Sequence, residues 1–112
     1  MCVSERKFGV LPTGEEVKIY HLENKKSAYV EVLQYGAILV KVCVPDKNGE
    51  LKDVVLGYDD MESYEVNGCF FGAIIGRSGN RIENSRFFID NKEVVLAENE
   101  NHNNLHSGPD GF

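Results

Sequence analysis

What this sequence lacks narrows it quickly. It has no CxxC pair: Cys2, Cys43 and Cys69 are an odd, widely spaced set. Neither a disulfide framework nor a zinc knuckle is therefore readable, and the thiols read as packing groups in a reducing cytoplasm. It has no apolar run approaching the ~20 residues that a bilayer crossing needs; the longest, Cys69 to Ile75, is interrupted by Gly72. The opening Met1-Cys2-Val3-Ser4-Glu5-Arg6-Lys7 lacks the apolar core of a signal peptide. Basic residues are not in excess either, with 12 Lys and Arg against 18 Asp and Glu and a formal charge of −6. Without a basic stripe nothing releases counterions from a phosphate backbone, so nucleic acid is excluded as a partner, and a membrane with it. Finally, no stretch of a dozen residues keeps a helical period of 3.6.

What is present is a succession of short β-type runs separated by turn residues, the pattern of an all-β chain. Its 112 residues suit one domain. Phe8 to Leu11 and Val17 to Leu22 flank Pro12-Thr13-Gly14-Glu15, which predicts an opening hairpin. After the turn Glu23 to Lys26, Ala28 to Gln34 alternates as a half-buried strand does. Ile38, Val40, Val42 and Val44 are expected on one face of the next strand, with Leu39, Lys41 and Cys43 opposite. Pro45 to Gly49 reads as a turn, and Val54-Val55-Leu56 is expected to resume the sheet. Gly57 to Asn67 reads as a surface crossing with one helical turn at most, over Asp60 to Tyr64. Phe70 to Ile75 is expected to be a buried strand, and Phe87-Phe88-Ile89 and Val94-Val95-Leu96 a hairpin about Asp90-Asn91-Lys92. From Ala97 to Phe112 the chain becomes a polar loop whose asparagines suit hydrogen bonds to its own backbone. It stops there as though cut mid-fold.

Two segments hold most of the chemistry: Gly76-Arg77-Ser78-Gly79-Asn80-Arg81-Ile82 and Asn103-Asn104-Leu105-His106-Ser107-Gly108. Arg81 offers five fixed donors, and Asn80 a donor and an acceptor together, which suits the ring oxygen and hydroxyls of a sugar. Against this, pattern alone favours reading Gly79-Asn80 as a turn and Arg81 as a surface ion-pair partner. His102 and His106 have the i, i+4 spacing of a zinc helix, but Asn103 stands where a metalloprotease needs glutamate and no helix is expected, so no metal is assigned. His106 alone is the better candidate, as an imidazole that can donate to an oxygen acquiring charge. His21, in an alternating strand, reads as structural. Gly72, Gly76 and Gly79 lack the Lys-Ser/Thr of a phosphate loop, and Glu98 with Glu100 reads as a solvated run rather than a working carboxylate pair.

Taken in order, Gly76 to Ile82, Phe87 to Lys92 and Asn104-Leu105-His106-Ser107-Gly108-Pro109-Asp110-Gly111-Phe112 resemble the aldose 1-epimerase family. Its N-R-I motif, D-G-K-type hairpin turn and N-x-L-H-G-G loop followed by G-F occur in this succession. Tyr35-Gly36-Ala37, and Val54-Val55-Leu56-Gly57-Tyr58 ahead of the Tyr64 segment, resemble its N-terminal strands, so the resemblance spans roughly residues 7 to 112. Gly79 replaces the usual alanine, Asn91 the turn glycine and Ser107 the first glycine after the histidine. Gly79 and Asn91 both tolerate positive φ.

The resemblance implies an antiparallel β-sandwich of the galactose mutarotase type, of which residues 1–112 form the N-terminal part of a single domain. It implies interconversion of the α and β anomers of hexoses such as galactose and glucose. A base takes the anomeric hydroxyl proton, an acid protonates the ring oxygen, and the opened aldehyde turns and recloses. It further implies that Asn80, Arg81 and His106 bind the sugar, with Arg81 and His106 polarising its ring oxygen. The family's acid histidine and base glutamate lie outside these 112 residues, so the isolated chain is expected to be inactive. Proton transfer alone carries the reaction, so no metal or organic cofactor is implied. A non-catalytic carbohydrate-binding relative is the alternative. Sheet edges and apolar faces around Val40 and Ile74 are expected to lie open and favour self-association.

Overall fold

The computed structural model describes residues 2–109, so Met1 and the Asp110-Gly111-Phe112 end of the last motif lie outside the described residues. Two compact units divide between Ile74 and Ile75. The first is an antiparallel meander of five strands in chain order: β1 (Cys2–Val10), β2 (Glu16–Glu23), β3 (Tyr29–Leu33), β4 (Leu39–Pro45) and β5 (Leu51–Asp53). Its turns follow from local side-chain chemistry. Asn24 Oδ1 accepts from the N–H groups of Lys26 and Ala28, at 2.7 and 3.2 Å. Asp46 Oδ1 does the same for Asn48 and Glu50, at 2.7 and 3.0 Å. Each side chain stands in for a backbone acceptor and closes its hairpin.

The core of this unit is Val17, Ile19, Leu33, Ile38, Val40, Met61 and Tyr64, with Phe8, Leu11, Tyr35 and Tyr58 packed around it. Met61 and Tyr64 come from α1 (Met61–Val66), a helix slightly longer than expected in a segment read as a mere surface crossing. Asp60 caps it by accepting from the Ser63 N–H at 2.8 Å. Residues 61 and 64 are three apart and share one side of the helix, which turns them both inward. Gly9 gives α1 room, since a Cβ there would collide with the Met61 side chain.

β1 begins at Cys2, ahead of the Phe8 read as its start, and of the thiols read as packing groups only Cys43 is buried while Cys2 and Cys69 are exposed; three further expectations need correction. First, β4 does not keep one apolar face. Glu31 lies opposite Lys41 but Val32 lies opposite Leu39, which makes Val40 a bulged, surplus residue. Ile38 and Val40 therefore join the core, and Val40 is not an open face. Val42 and Val44 turn to the other side, where they line a shallow apolar hollow of about 380 Å³ with Leu22 and Val30. Second, the sheet resumes at β5, ahead of Val54-Val55-Leu56, whose Val54 and Leu56 are exposed. Third, Phe70 to Ile75 is not a strand: Phe70, Ile74 and Ile75 are exposed and the segment is turn and coil. Gly72 (φ +63°) lies so close to Leu39 that a Cβ would strike its carbonyl oxygen. The Leu39 N–H donates to the Gly72 carbonyl at 2.9 Å. That contact ties the segment to the start of β4 by one backbone bond, not by a ladder.

The second unit contains β6 (Arg81–Ile82), β7 (Arg86–Ile89), β8 (Lys92–Val95) and β9 (Asn104–Leu105), paired as β6 with β9 and β7 with β8. The β7–β8 hairpin was legible, with the turn one residue shorter than read. Ile89 pairs directly with Lys92, leaving Asp90 and Asn91 at φ 49° and 61° as a two-residue turn. Two successive positive φ values match the twist of the flanking strands. Among the described residues no helix is long and apolar enough to cross a membrane.

Candidate functional site

The second unit brings Asn80, Arg81 and His106 together by joining the two loops that carry them. Pairing of Arg81 with Leu105 and of Ile82 with Asn104 sets β6 beside β9. The bonds then continue past the strands. The His106 N–H donates to the Asn80 carbonyl at 2.9 Å, and the Asn80 N–H donates to His106 Nδ1 at 3.0 Å. One step further, the Ser78 N–H donates to Ser107 Oγ at 2.7 Å, and Ser107 Oγ donates to the Ser78 carbonyl at 3.1 Å. Ser107 thus supplies a cross-loop hydroxyl that the usual glycine could not. The positive φ falls on Asn80 (60°), His106 (53°) and Ser107 (63°), and Gly79 is not among the positive-φ glycines.

Arg81 presents two edges. Its Nε and Nη2 both donate to the Glu100 carboxylate, at 2.5 Å each, while Nη1 donates to Asn80 Oδ1 at 3.4 Å. The hydrogen bond from Arg81, followed by its charge, holds the Glu100 carboxyl below its ordinary pKa. Glu100 in turn raises that of Arg81. Glu98 takes a different partner, His102, at 3.5 Å. Glu98 is thus solvated as read, whereas Glu100 is the partner of Arg81, which the sequence reading did not foresee. Nothing local marks it, because its partner lies nineteen residues away.

The loop bearing Glu100 and His106 is closed from inside by Asn104, which is 2% exposed. Its Nδ2 donates to the carbonyls of Ala97 and Gly108, at 2.9 and 3.3 Å. Asn99 fastens the same loop, donating to the Leu105 carbonyl and accepting from its N–H at 2.8 and 2.7 Å. Asn99 and Asn104 thus bond the loop's own backbone, as expected of its asparagines. Replacing Asn104 with alanine removes two hydrogen bonds that hold the loop's backbone, and we expect it to cost about 1–3 kcal/mol. Urea unfolding monitored on this unit measures the effect; an unchanged midpoint would contradict it.

The remaining candidates lie elsewhere. His102 is an exposed side chain paired only with Glu98 among the described residues. His21 belongs to the first unit, where Nδ1 lies 3.6 Å from Glu31 and Nε2 3.6 Å from Glu23, and its ring packs on Tyr29 at 4.5 Å. Glu31 also receives Arg6 on both oxygens at 3.3 Å. Among the described residues, no group of three or more His, Cys, Asp or Glu side chains is disposed to hold a metal ion.

These strands and loops define an antiparallel all-β protein of the galactose mutarotase type, represented by its N-terminal portion. The chain belongs to the aldose 1-epimerase family, whose model matches residues 18–111. It is 38% identical to galactose mutarotase of Bos taurus over 111 residues, 98% of this chain and 32% of that protein. It is 36% identical to aldose 1-epimerase of Escherichia coli (strain K12), over 90% of this chain and 29% of that one. Among solved structures, galactose 1-epimerase from Lactobacillus acidophilus superposes with a TM-score of 0.80 at 27% identity, over 99% of this chain and 31% of that one. An aldose epimerase homologue from C. elegans gives 0.78 at 36% identity, over 83% and 29%. The chain spans about a third of the length of the curated relatives it matches.

Proposed function

We propose that this chain carries a sugar-binding part of an aldose 1-epimerase, an isomerase that interconverts the α and β anomers of hexoses such as galactose and glucose. The observation that carries this reading is the convergence of an amide, a guanidinium and an imidazole at the joined ends of β6 and β9. Because Nδ1 of His106 accepts from the Asn80 N–H, the neutral ring carries its hydrogen on Nε2. In that form it donates to an oxygen gaining negative charge, and Arg81 adds a fixed positive charge to the same purpose. Asn80, Arg81 and His106 bind the pyranose; Arg81 and His106 also polarise its ring oxygen as the anomeric bond opens.

Polarisation lowers the barrier only when a base removes the anomeric proton and an acid delivers one to the ring oxygen. The positions that family resemblance gives to those two groups lie outside the 112 residues. We therefore expect this chain to bind galactose without speeding its mutarotation. In an NMR titration, galactose should shift the resonances of Asn80, Arg81 and His106; polarimetry of fresh α-galactose should follow the buffer rate. No shift at these residues would sink the sugar reading, and acceleration well above buffer would sink the division of labour.

The same reading treats both units as parts of one domain, supported by a family match that runs unbroken across their division. It also includes pairing of the exposed outer strands β1 and β5 with a second copy, and residence in a reducing cytoplasm, which the exposed thiols of Cys2 and Cys69 suit.

A further inference from the structure

We infer that Glu100 is a positioning residue for Arg81: it takes one edge of the guanidinium and thereby turns the other edge, beside Asn80, toward the sugar. The inference rests on the sugar reading of this site and adds to it a residue that does not itself touch the ligand. An arginine side chain left half in solvent samples many rotamers, and a ligand that needs one of them must overcome that freedom. Here the freedom is removed in advance. Both Nε and Nη2 are committed to the two carboxylate oxygens, a bidentate arrangement that fixes the plane of the guanidinium as well as its position. With that edge occupied, Nη1 is the nitrogen that meets Asn80 Oδ1, at 3.4 Å.

Glu100 can do this because its own backbone is held. Its N–H donates to the Asn103 carbonyl at 3.2 Å, and the Asn103 N–H returns to the Glu100 carbonyl at 2.9 Å. Asn103 Oδ1 accepts from the Asn84 N–H at 3.1 Å, tying this turn to the residues just after β6. The side chain of Glu100 is also the less exposed partner, at 29% against 52% for Arg81. The carboxylate therefore serves as the fixed member, and the guanidinium is the one that is aimed.

Among the described residues, Arg81 and His106 are the charged or titratable groups acting on Glu100. The carboxyl is held below its ordinary value, so the pair is complete above the ordinary carboxylate range and is lost only as the pH falls through the lowered value. A purely structural ion pair would leave sugar affinity indifferent to that titration.

The test uses the whole chain, D-galactose as probe and the variants Glu100→Ala, Glu100→Gln and Glu100→Asp. In the unmodified chain the Arg81 Nε–H should give a slowly exchanging NMR signal at neutral pH, lost in Glu100→Ala and partly regained in Glu100→Asp. Galactose affinity should fall about three- to tenfold in Glu100→Ala, in step with the loss of a pre-oriented donor. Affinity of the unmodified chain should weaken on acidification through the Glu100 titration, and Glu100→Gln should lack that component. A fast-exchanging Nε–H in the unmodified chain, or one unchanged in Glu100→Ala, overturns the proposal. So does equal or tighter galactose binding by Glu100→Ala, which would make Glu100 a competitor for Arg81. If the Nε–H behaves as expected but no variant binds galactose, the orientation stands and the sugar reading fails.

Discussion

Replacing Arg81 with alanine is expected to weaken galactose binding about ten- to a hundredfold, the range set by losing charged hydrogen bonds to a ligand. The fold should be untouched. Among the described residues the Arg81 side chain reaches others through its ion pair with Glu100 and its contact with Asn80, and it is half exposed; such pairs add little to stability. The β6–β9 pairing uses the backbone of residue 81 and survives the substitution. Arg81→Lys separates charge from geometry: it keeps the charge but cannot present two parallel donors to Glu100 together with a third to Asn80, so most of the loss should remain. Isothermal titration on the three proteins, with thermal melting as control, measures both sides. An alanine variant that binds as well as the unmodified chain would remove Arg81 from the site.

Replacing Ile19 with alanine is expected to cost about 2–5 kcal/mol, the range for truncating a buried aliphatic side chain. Ile19 is 1% exposed, lies opposite Leu33 across β2 and β3, and packs in the cluster with Tyr64 and Met61. The neighbours are held by the sheet and by capped α1, so they can collapse only partly into the space. The matching substitution Val54→Ala, at a residue 61% exposed, should stay within about 0.5 kcal/mol. Urea unfolding of the two variants decides the matter; equal costs would mean that the core lies elsewhere.

Strands β2, β3 and β4 were legible because their signals are local, whereas β1, read as Phe8 to Leu11, begins at Cys2, where charged residues interrupt any apolar run. Alternation, a Pro-Gly turn and the side chains of Asn24 and Asp46 all act within a few residues. What was not legible depends on partners distant in sequence. Phe70 to Ile75 has the composition of a buried strand, yet a strand needs a ladder, and this segment obtains one bond from Leu39. The bulge at Val40 is invisible in a run of valines because it is a property of the pairing with β3. That Asn80, Arg81 and His106 lie together follows from the pairing of the two motif-bearing loops. Glu100 was not legible, since an acidic residue in a polar loop looks solvated until its arginine is found.

The bond from Asn80 to His106 has a consequence for how this site tolerates change. The group of residue 80 that donates to the imidazole Nδ1 is its main-chain N–H. Inheritance can therefore alter the side chain there, to glycine or aspartate for example, and the ring keeps its hydrogen on the same nitrogen, so long as the backbone still bends at φ near 60°. A substitution at position 80 that keeps this backbone bend therefore leaves the hydrogen bond to His106 Nδ1 in place, whatever side chain it introduces.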